Sequence, residues 1–290
     1  MPRRLRRAVD GTDGEMAEAT RIDPRAVVSP DAVLDEGVEI GPFAIVEPRV
    51  VVGARTRILA HAYVCTGTTM GEDNVVHMGA VVGNEPQDKA YDGSATFLDI
   101  GHRNVIREGC SLHRGTAPGS RTVVGDDCYF MATSHVGHNS RVGNGVILAN
   151  GAVLGGHAQV GDRAFLSAYS MVHQHTRVGR FAMLQGGSAV SMDVPPFCIG
   201  VNGTNRIGGV NVVGLRRAGF DRARILAIRS AYRMLFLGRP NLSVARQRVL
   251  DETTAAGGPT ADVREMLDFI SEAKKGVCAA RSAPGEGGRD

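Results

Sequence analysis

Residues 136–161 read VGHNSRVGNGVILANGAVLGGHAQVG, and an apolar side chain returns at every sixth position of this stretch. The same spacing runs from Ile22 to Val190, where 26 of the 29 positions are apolar although only 43% of the whole chain is hydrophobic. Neither the period of about 3.6 residues of a helix nor the alternation of a strand produces this spacing. Short strands and turns stacked into a coil do produce it. The sequence therefore predicts a β-helix with three hexads, about 18 residues, in each coil.

The period is interrupted twice. Asp88 and Ser94 break it within residues 84–99, and Pro118 breaks it within residues 115–122, yet the phase returns after each break. An insertion that leaves the phase intact is typical of a loop that leaves one coil and then rejoins it. We therefore expect an extruded loop over 84–99, and long loops on rigid scaffolds often carry function.

The chain divides into four predicted segments. Residues 1–20 form a polar leader that we expect to be disordered or loosely attached, and residues 21–193 form the β-helix. A VPPF break follows, and residues 194–278 are expected to form a linker and a small helical domain. Residues 279–290 are expected to be a disordered tail.

Three helices are predicted in the helical domain. Asp221 is the expected N-cap of a helix over 222–237, because an aspartate in that position can accept a hydrogen bond from the first turn. Ser243 is expected to cap a second helix that ends near 253. A third helix is expected over 260–275.

Composition excludes several classes of protein. The net charge of +3 does not demand nucleic-acid binding, and no apolar run approaches the roughly 18 residues that cross a bilayer. The N-terminus lacks the apolar region of a secretory signal. The five cysteines are scattered without a CxxC pair, which favours buried core positions in a reducing compartment over a disulfide framework. We therefore expect a cytoplasmic protein.

Six of the nine histidines lie within residues 113–175, and stacking of coils can gather them on one wall. A zinc site with a His-x4-His pair is one alternative, but no two histidines are five apart. Nucleophilic catalysis is another, but the chain has no G-x-S-x-G motif. The simpler hypothesis is a histidine that deprotonates a hydroxyl as it attacks a thioester, beside a glycine-rich turn whose N–H groups hold the oxyanion. The six are His113, His135, His138, His157, His173 and His175.

An ordered series of short motifs gives a resemblance to a known family. The motifs are IGPF (40–43), QD (87–88), NVIRE (104–108), HRGT (113–116), HVGH (135–138), ILAN (147–150), GGH (155–157), VHQ (172–174), DVPPF (193–197), GVN (209–211) and GLRRAGF (214–220). Together with the [LIV]-G-x4 hexads, they resemble the UDP-N-acetylglucosamine O-acyltransferases of lipid A biosynthesis, a hexapeptide-repeat family. The resemblance extends from about residue 21 to about residue 275.

The resemblance implies a fold, a reaction and partners. The fold is a left-handed parallel β-helix followed by a small α-helical domain, assembled as a homotrimer with active sites between subunits. The reaction moves a (3-hydroxy)acyl chain from acyl carrier protein to the 3-hydroxyl of UDP-N-acetylglucosamine in the bacterial cytoplasm, without a metal or another cofactor. An acidic carrier protein could meet a basic surface. The residues expected to form this surface are Arg216, Arg217, Arg222, Arg224 and Arg229.

The resemblance also implies roles for individual residues. His138 matches the general base, Gly156 the backbone donor of the oxyanion site, and Asp88 a contact to the sugar. His135 matches a residue near the acyl carbonyl, and Gly186 the position that sets acyl-chain length, where a glycine favours a longer chain. The remaining positions match substrate-binding residues of the family: His113, His157, His173, Gln174, Asn211 and Arg217.

The chain departs from the family pattern beside the expected base and in the nucleotide region. Asn139 follows the base where the family usually has aspartate, and an amide can orient an imidazole but cannot stabilise its positive charge. The basic residue of the loop is Lys89, with Ala90 after it, and Val213 and Ala218 replace family Glu and Arg residues. Two alternatives therefore stay open: acyl transfer to a different nucleotide sugar or amino sugar, and a β-helix homologue without catalytic activity.

Overall fold

The computed structural model describes residues 19–203, 205–237, 241–254 and 257–281. Nearly all of the predicted leader, and the predicted tail from residue 282 onward, lie outside these ranges. The described residues form short strands over most of their length and helices near the end. The elements are β1 (Arg21–Ile22), β2 (Val27–Val28), β3 (Val33–Leu34), β4 (Glu39–Ile40), β5 (Ile45–Val46), β6 (Val51–Val52), β7 (Arg57–Ile58), β8 (Tyr63–Val64), β9 (Thr68–Met70), β10 (Val75–Val76), β11 (Val81–Asn84), β12 (Phe97–Ile100), β13 (Val105–Ile106), β14 (Ser111–His113), β15 (Arg121–Val124), β16 (Tyr129–Phe130), β17 (His135–Val136), β18 (Arg141–Val142), β19 (Ile147–Leu148), β20 (Val153–Leu154), β21 (Gln159–Val160), β22 (Phe165–Leu166), β23 (Met171–Val172), β24 (Arg177–Val178), β25 (Met183–Leu184), β26 (Ala189–Val190), β27 (Cys198–Gly200), β28 (Arg206–Val210), α1 (Val212–Arg217), α2 (Arg222–Phe236), α3 (Leu242–Thr254), α4 (Ala261–Ser271) and β29 (Ala279–Ala280).

The strands form three sheets, and each coil supplies one strand to each sheet. Sheet A joins every third strand from β1 to β25 and ends with β27, β28 and β29; sheet B runs from β2 to β26, and sheet C from β3 to β24. The pairing within the β-helix is parallel and in register. Val136 lies beside Leu154, and Leu154 lies beside Val172, so neighbouring coils are separated by the three hexads that the sequence predicts.

The apolar ladder of the sequence is the interior of the β-helix. In the two-residue strands the second residue points inward, as Phe130, Leu148 and Leu166 do, and all three are fully buried. A second buried position follows four residues later and carries a small side chain, such as Ala152 or Ala158, because little room remains near the corners of a coil. The ladder thus predicted the core directly.

The corner between sheets B and C uses left-handed backbone. Asn139, His157 and His175 occupy the same place in three successive coils and have φ values of 59°, 58° and 60°. Most side chains avoid this conformation, whereas Asn and His tolerate it comparatively well. The positions before them, His138, Gly156 and Gln174, form a second column at the same corner. Stacking of the coils therefore aligns polar residues along one edge of the prism.

Both interruptions of the period leave the β-helix at this corner. One spans residues 85–96 between β11 and β12, and the other spans residues 114–120 between β14 and β15. The first loop is shorter than the predicted range of 84–99, because β12 begins at Phe97 and pairs with β9 and β15. The insertions change the path of the chain at the corner without changing the register of the coils that follow.

The helical part begins after the antiparallel pair of β27 and β28. Asp221 caps α2 by accepting a hydrogen bond from the backbone N–H of Arg224, as predicted. The predicted cap at Ser243 is wrong. Helix α3 already begins at Leu242, and the side chain of Asn241 accepts from the N–H of Ser243 instead. Helix α4 begins after Thr260 but ends at Ser271, earlier than predicted.

Arginines of the last coils hold the helical part against the β-helix. Arg180 contacts the carboxylates of Glu265 and Asp262 on α4 at 2.6 and 3.3 Å. Arg177 contacts Asp193 at 2.8 Å and donates to the carbonyl oxygen of Phe269 at 2.6 Å. These contacts bring the segment after α4 to the corner between sheets B and C.

Two expectations from composition can be compared with the described residues. No helix within them is both long and apolar enough to cross a membrane. Each of the five cysteines is buried with a free thiol. Burial raises the pKa of Cys128 and Cys278 to about 12, so these side chains are core residues rather than reactive thiolates.

The interior ladder should dominate stability. We expect Leu148→Ala to lower the free energy of unfolding by about 2–5 kcal/mol, because the side chain is fully buried and its removal leaves a cavity. Val33→Ala is the matched control, since Val33 is 59% exposed on sheet C and should cost no more than about 0.5 kcal/mol. Urea unfolding at one fixed protein concentration measures both. Equal losses in the two variants would contradict this account of the core.

Candidate active site

The histidines gather at the corner between sheets B and C. The rings of His113 and His135 have centroids 5.1 Å apart, and those of His138 and His157 are 5.3 Å apart. The ring of His175 stacks on His157 with centroids 4.5 Å apart. The stacking register places these residues in neighbouring coils, so five of the six predicted histidines form one continuous cluster.

His138 lies at the centre of this cluster and is only 13% exposed. Its Nδ1 atom is 2.8 Å from the Thr116 hydroxyl and 3.0 Å from Oδ1 of Asn139. Its Nε2 atom faces the opposite way, toward Asp88, whose Oδ2 is 3.8 Å distant. One nitrogen is therefore held by protein groups, and the other makes no hydrogen bond with any residue that the structure describes.

Gly156 forms the wall next to the His138 ring. It occupies the equivalent position in the following coil, and a Cβ atom there would be 2.4 Å from Nε2 and 2.6 Å from Cε1 of the imidazole. No side chain fits at this distance, so glycine is required for the ring to keep its place. The backbone N–H of Gly156 makes no hydrogen bond with another described backbone group, which leaves it available as a donor.

Asp88 reaches the cluster from the first extruded loop. The backbone N–H of Ala90 donates to its Oδ1 at 3.0 Å and is the main cause that lowers the pKa of this carboxyl. A positive charge on His138 and a hydrogen bond with Thr116 lower it further. The carboxylate is thus ionised at neutral pH and stands beside the outer nitrogen of His138.

Three of the other histidines have pKa values lowered by burial. Burial, with smaller contributions from the charges of His113 and His138, lowers the pKa of His135 to about 4. Burial likewise lowers the pKa of His113, whose Nδ1 contacts the carbonyl oxygen of Glu85. His157 has a lowered pKa from burial and from the neighbouring His175. These rings can offer hydrogen bonds at neutral pH without bringing positive charge.

Arg114 anchors the loop that carries Asp88. Its guanidinium is only 8% exposed and donates to the carbonyl oxygen of Gly83 at 3.1 Å, the Tyr91 hydroxyl at 3.0 Å and the Thr96 hydroxyl at 3.2 Å. The guanidinium also lies over the Tyr91 ring, 5.6 Å from its centroid. A buried arginine needs such partners, and here the partners are the two ends and the middle of the loop.

A polar cleft extends from the cluster toward the helical part. Its volume is about 770 Å³, and Asn139, His157 and His175 lie at one end of it. Lys275, from the segment after α4, donates to the carbonyl oxygen of Gln174 at 2.7 Å and lies 3.3 Å from Nδ1 of His173. The basic residues that line the cleft are Arg121, Arg141, Arg177, Lys274 and Lys275.

The remaining predicted residues lie outside the cluster. Asn211 is buried and caps α1: its oxygen accepts from the N–H of Gly214 at 3.0 Å, and its amide donates to Phe181 at 2.9 Å. Arg217 is exposed in the last turn of α1. Gly186 borders open space, with the carbonyl oxygen of Ala168 3.4 Å from where a Cβ would be. Contacts of these three with substrate stay predictions.

Several residues at the corner had no role in the sequence interpretation. Arg114 and Thr116 lie in the HRGT motif, yet only His113 of that motif was selected as a site residue. Ser111, whose hydroxyl is 2.8 Å from Nδ1 of His135, was also missed. Ser111 and His135 are paired residues of neighbouring coils once the second insertion is allowed for, so the ladder carried a signal for this pair.

The fold and this corner define a hexapeptide-repeat transferase. A family model described as "Bacterial transferase hexapeptide (six repeats)" matches residues 121–156, and one described as "Udp N-acetylglucosamine O-acyltransferase; Domain 2" matches residues 193–278. Both halves of the predicted architecture are therefore recognised. The β-helix with hexapeptide repeats and the helical C-terminal part confirm the expected fold class.

Whole-chain comparisons identify the family. The chain is 44% identical over 257 residues to an acyl-[acyl-carrier-protein]–UDP-N-acetylglucosamine O-acyltransferase from Rhizobium etli, covering 88% of this chain and 93% of the relative. A protein of the same name from Caulobacter vibrioides is 43% identical over 231 residues, which cover 79% and 86%. The UDP-N-acetylglucosamine acyltransferase structure from Francisella novicida superimposes with a TM-score of 0.84 at 29% identity, covering 90% and 94%. The chain belongs to the UDP-N-acetylglucosamine O-acyltransferase family of enzymes.

The close approach of Gly156 to His138 gives a test of the site. We expect Gly156→Ala to lower kcat by about 100-fold or more, because a methyl group would displace the imidazole and small misplacements have effects of this size. Gly93→Ala is the control for removing a glycine near the site, since a Cβ there meets nothing within 4 Å. Because Gly93 has a positive φ, the Gly93→Ala variant also tests the effect of local backbone strain. Steady-state kinetics measure both variants, and full activity of Gly156→Ala would contradict the geometry.

The buried His135 predicts a dependence of stability on pH. Its folded pKa of about 4 lies below the value of about 6.5 in an unfolded chain, so the unfolded state binds more protons between these values. Stability should therefore fall as pH drops from about 6.5 toward 4. His135→Asn should lose less stability than the wild type between pH 7.5 and pH 5, as measured by urea unfolding. His61→Asn, at an exposed turn, is the control that should follow the wild type.

Proposed function

We propose that the enzyme transfers a (3-hydroxy)acyl chain from acyl carrier protein to the 3-hydroxyl of UDP-N-acetylglucosamine, the first step of lipid A biosynthesis, with His138 as the general base. The observation that carries this proposal is the environment of the His138 ring. One nitrogen is held by Thr116 and Asn139, and the other faces away from them, beside Asp88 and Gly156. A base needs one oriented nitrogen and one free nitrogen.

The chemical step follows from this arrangement. Nε2 of His138 takes the proton of the sugar hydroxyl as that oxygen attacks the thioester carbonyl carbon. The new C–O bond forms, the carbonyl oxygen takes up negative charge, and the backbone N–H of Gly156 is the nearby donor that would stabilise it. The C–S bond then breaks, and the carrier thiolate receives the proton from the imidazolium. Asp88 would contact the sugar while its charge faces the imidazolium.

The cleft next to the cluster supports a nucleotide sugar as acceptor. A volume of about 770 Å³ accommodates a ligand of nucleotide size. Arg141, Lys274 and Lys275 give this cleft positive charge, which suits a diphosphate. His157 lines the cleft, and His173 and Gln174 contact Lys275, which also lines it, in agreement with the substrate contacts that we propose for them. We propose that His113 and His135, which are not among the residues lining the cleft, lie near the acyl carbonyl.

The outer surface of the β-helix supports a homotrimer. The first residue of each strand points outward, and on sheet C these residues are largely polar, such as Arg141 and Gln159. On sheets A and B many are apolar. Most of these side chains are half-buried and a few are exposed, and contiguous apolar patches on a protein surface mark interaction sites. Neighbouring copies that cover sheets A and B would bring the corner between sheets B and C to the subunit boundary. The outward apolar residues include Val75, Val105, Tyr129, Ile147, Phe165 and Met183 on sheet A, and Val27, Ile45, Tyr63, Val81, Val153 and Met171 on sheet B.

The basic residues of α1 and α2 support docking of an acidic carrier protein. Arg216, Arg217, Arg222 and Arg229 are exposed. Arg224 is different from the others, because it contacts the Asp262 carboxylate at 2.8 Å and lies 3.8 Å above the Phe220 ring. We therefore assign Arg224 to the packing of the helical part and keep the other four for the carrier. Open space at Gly186 agrees with a groove for a long acyl chain.

Turnover with defined substrates tests the proposal. His138→Ala should lose about 1,000-fold or more of kcat, the range that general-base catalysis contributes. Calorimetry should show that it still binds UDP-N-acetylglucosamine. Acyl carrier protein should be preferred as donor over acyl-CoA.

Three outcomes would contradict parts of the proposal. Full activity of His138→Ala would exclude the base, and equal use of both donors would exclude specific recognition of the carrier. Faster acylation of a 3-amino analogue of the sugar would favour the amino-sugar alternative. If the wild type does not bind the nucleotide sugar, the chain is a homologue without this activity.

A further inference from the structure

The second interruption of the period covers one side of the presumed base. The insertion after β14 turns residues 114–120 outward, and Thr116 comes to lie next to His138 in the following coil. Thr116 Oγ1 and Asn139 Oδ1 both lie within 3.0 Å of Nδ1 of the imidazole. The loop therefore contacts the nitrogen that does not face the substrate space.

The orientation of the Asn139 amide is determined by the backbone. The N–H of Thr116 donates to Asn139 Oδ1 at 3.0 Å. A backbone N–H can only donate, so the atom that it meets is the amide oxygen and not the amide nitrogen. The same oxygen lies 3.0 Å from Nδ1 of His138 and can only accept there. A proton on Nδ1 satisfies this contact, whereas a lone pair on Nδ1 would face another lone pair.

The hydroxyl of Thr116 is compatible with the same arrangement. A hydroxyl can donate or accept a hydrogen bond, and its oxygen lies 2.8 Å from Nδ1 of His138, so a lone pair of Thr116 can accept from Nδ1–H. Two acceptors on one nitrogen leave Nε2 as the unprotonated atom.

We propose that Thr116 and Asn139 are positioning residues that keep the proton of His138 on Nδ1 and hold Nε2 toward the substrate hydroxyl. This inference rests on the proposed role of His138 as base. It assigns a function to the second interruption, and it gives this chain a neutral pair in the place where the family usually has a carboxylate. The negative charge that faces the ring then comes from Asp88 alone among the described residues, on the Nε2 side.

The pair is held rigidly. A Cβ on Gly115 would be 2.5 Å from the carbonyl carbon of Ser120, so the chain must pass close to itself just before Thr116. The backbone N–H of Asn139 donates to the Thr122 hydroxyl at 2.8 Å, and its φ of 59° suits asparagine. These contacts fix the backbone at both positions, and the Asn139 amide cannot turn away from the ring without losing the N–H of Thr116.

The charged and titratable groups around His138 are few. Asp88 lies 3.8 Å from Nε2, and the ring of His157 lies 5.3 Å away from the next coil. A positive charge on His138 lowers the pKa of His113, in the preceding coil, and of His135, in the same coil. None of them is changed in the variants below, so a shift in pH dependence can be assigned to the positions replaced.

Kinetics of four variants test the proposal. Asn139→Gly removes the amide without strain at positive φ, Thr116→Val removes the hydroxyl at constant shape, and Thr116→Ser restores it. We expect the Thr116→Val, Asn139→Gly double variant to lose more kcat than the product of the two single losses, since the acceptors share one N–H. KM for the nucleotide sugar should change less than kcat, and Thr116→Ser should be close to the wild type.

The pH dependence separates positioning from a merely structural role. Asn139→Asp should move the acid limb of the kcat/KM profile to higher pH by about one unit, because a carboxylate beside an imidazolium favours the charged form. The double variant should move it to lower pH, since the imidazolium loses both acceptors. Thr69→Val, the same replacement at an exposed strand position of sheet C, should leave kcat and the profile unchanged.

A readout without turnover keeps this inference separable from the proposed function. Diethyl pyrocarbonate modifies unprotonated imidazole, and mass spectrometry of the peptide containing His138 gives a pH midpoint in each variant. If turnover fails but the midpoints shift as expected, the proposed reaction is wrong and the positioning pair stands. If the Asn139→Asp and double-variant midpoints equal that of the wild type, or if Thr116→Ser behaves like Thr116→Val, the inference is overturned.

Discussion

Parallel hydrogen bonding between coils at a constant register is the constraint on which the rest of the molecule depends. The N–H of Gly137 donates to the carbonyl oxygen of Leu154, and the N–H of Gly155 donates to that of Val172, in each case one coil further on. Every residue therefore lies on the equivalent residue of the next coil. The interior must stay apolar along its whole length, and each corner becomes a column of equivalent residues. The column of His138, Gly156 and Gln174 exists because the register does not drift.

The same constraint explains why the site is built from insertions. Two buried asparagines connect the coils before and after each loop. The side-chain oxygen of Asn74 accepts from the N–H of Asn104 at 2.9 Å, and that of Asn104 accepts from the N–H of Cys128 at 2.8 Å. Both pairs are further apart in sequence than one regular coil, so the extra residues are extruded and the inner turns still stack. A loop can thus be added at a corner with little effect on the core, which lets Asp88 and Thr116 approach the His138 column from outside.

The features that follow from the regular register of the coils could be predicted from the sequence, whereas those that depend on the inserted loops could not. The core and the closeness of His138 to Gly156 follow from a period that is visible in the sequence. The meeting of Asp88 with His138, two coils later in the chain, does not, because it depends on the path of an irregular loop. The contacts of Arg114 with Tyr91 and Thr96 could not be predicted for the same reason.

The sequence interpretation also missed two features of the helical part. Helix α1 was missed because a helix so short, with a glycine inside it, leaves almost no periodic signal. Ser243 was preferred over Asn241 as a cap, although either residue can cap a helix.

The histidine rings lie so close together that they cannot all carry a proton, so chemically identical side chains take different roles. Rings with centroids 4.5 to 5.3 Å apart would repel one another if several carried a proton. The lowered pKa values of His113, His135 and His157, which arise first from burial, keep those rings neutral. Among the described histidines, only His138 has a carboxylate within 4 Å of a ring nitrogen. That carboxylate stands on Nε2, the nitrogen to which the substrate hydroxyl would deliver its proton in the proposed mechanism. In that mechanism Asp88 would both contact the sugar and face the imidazolium, because the other nitrogen of the ring is held by neutral groups.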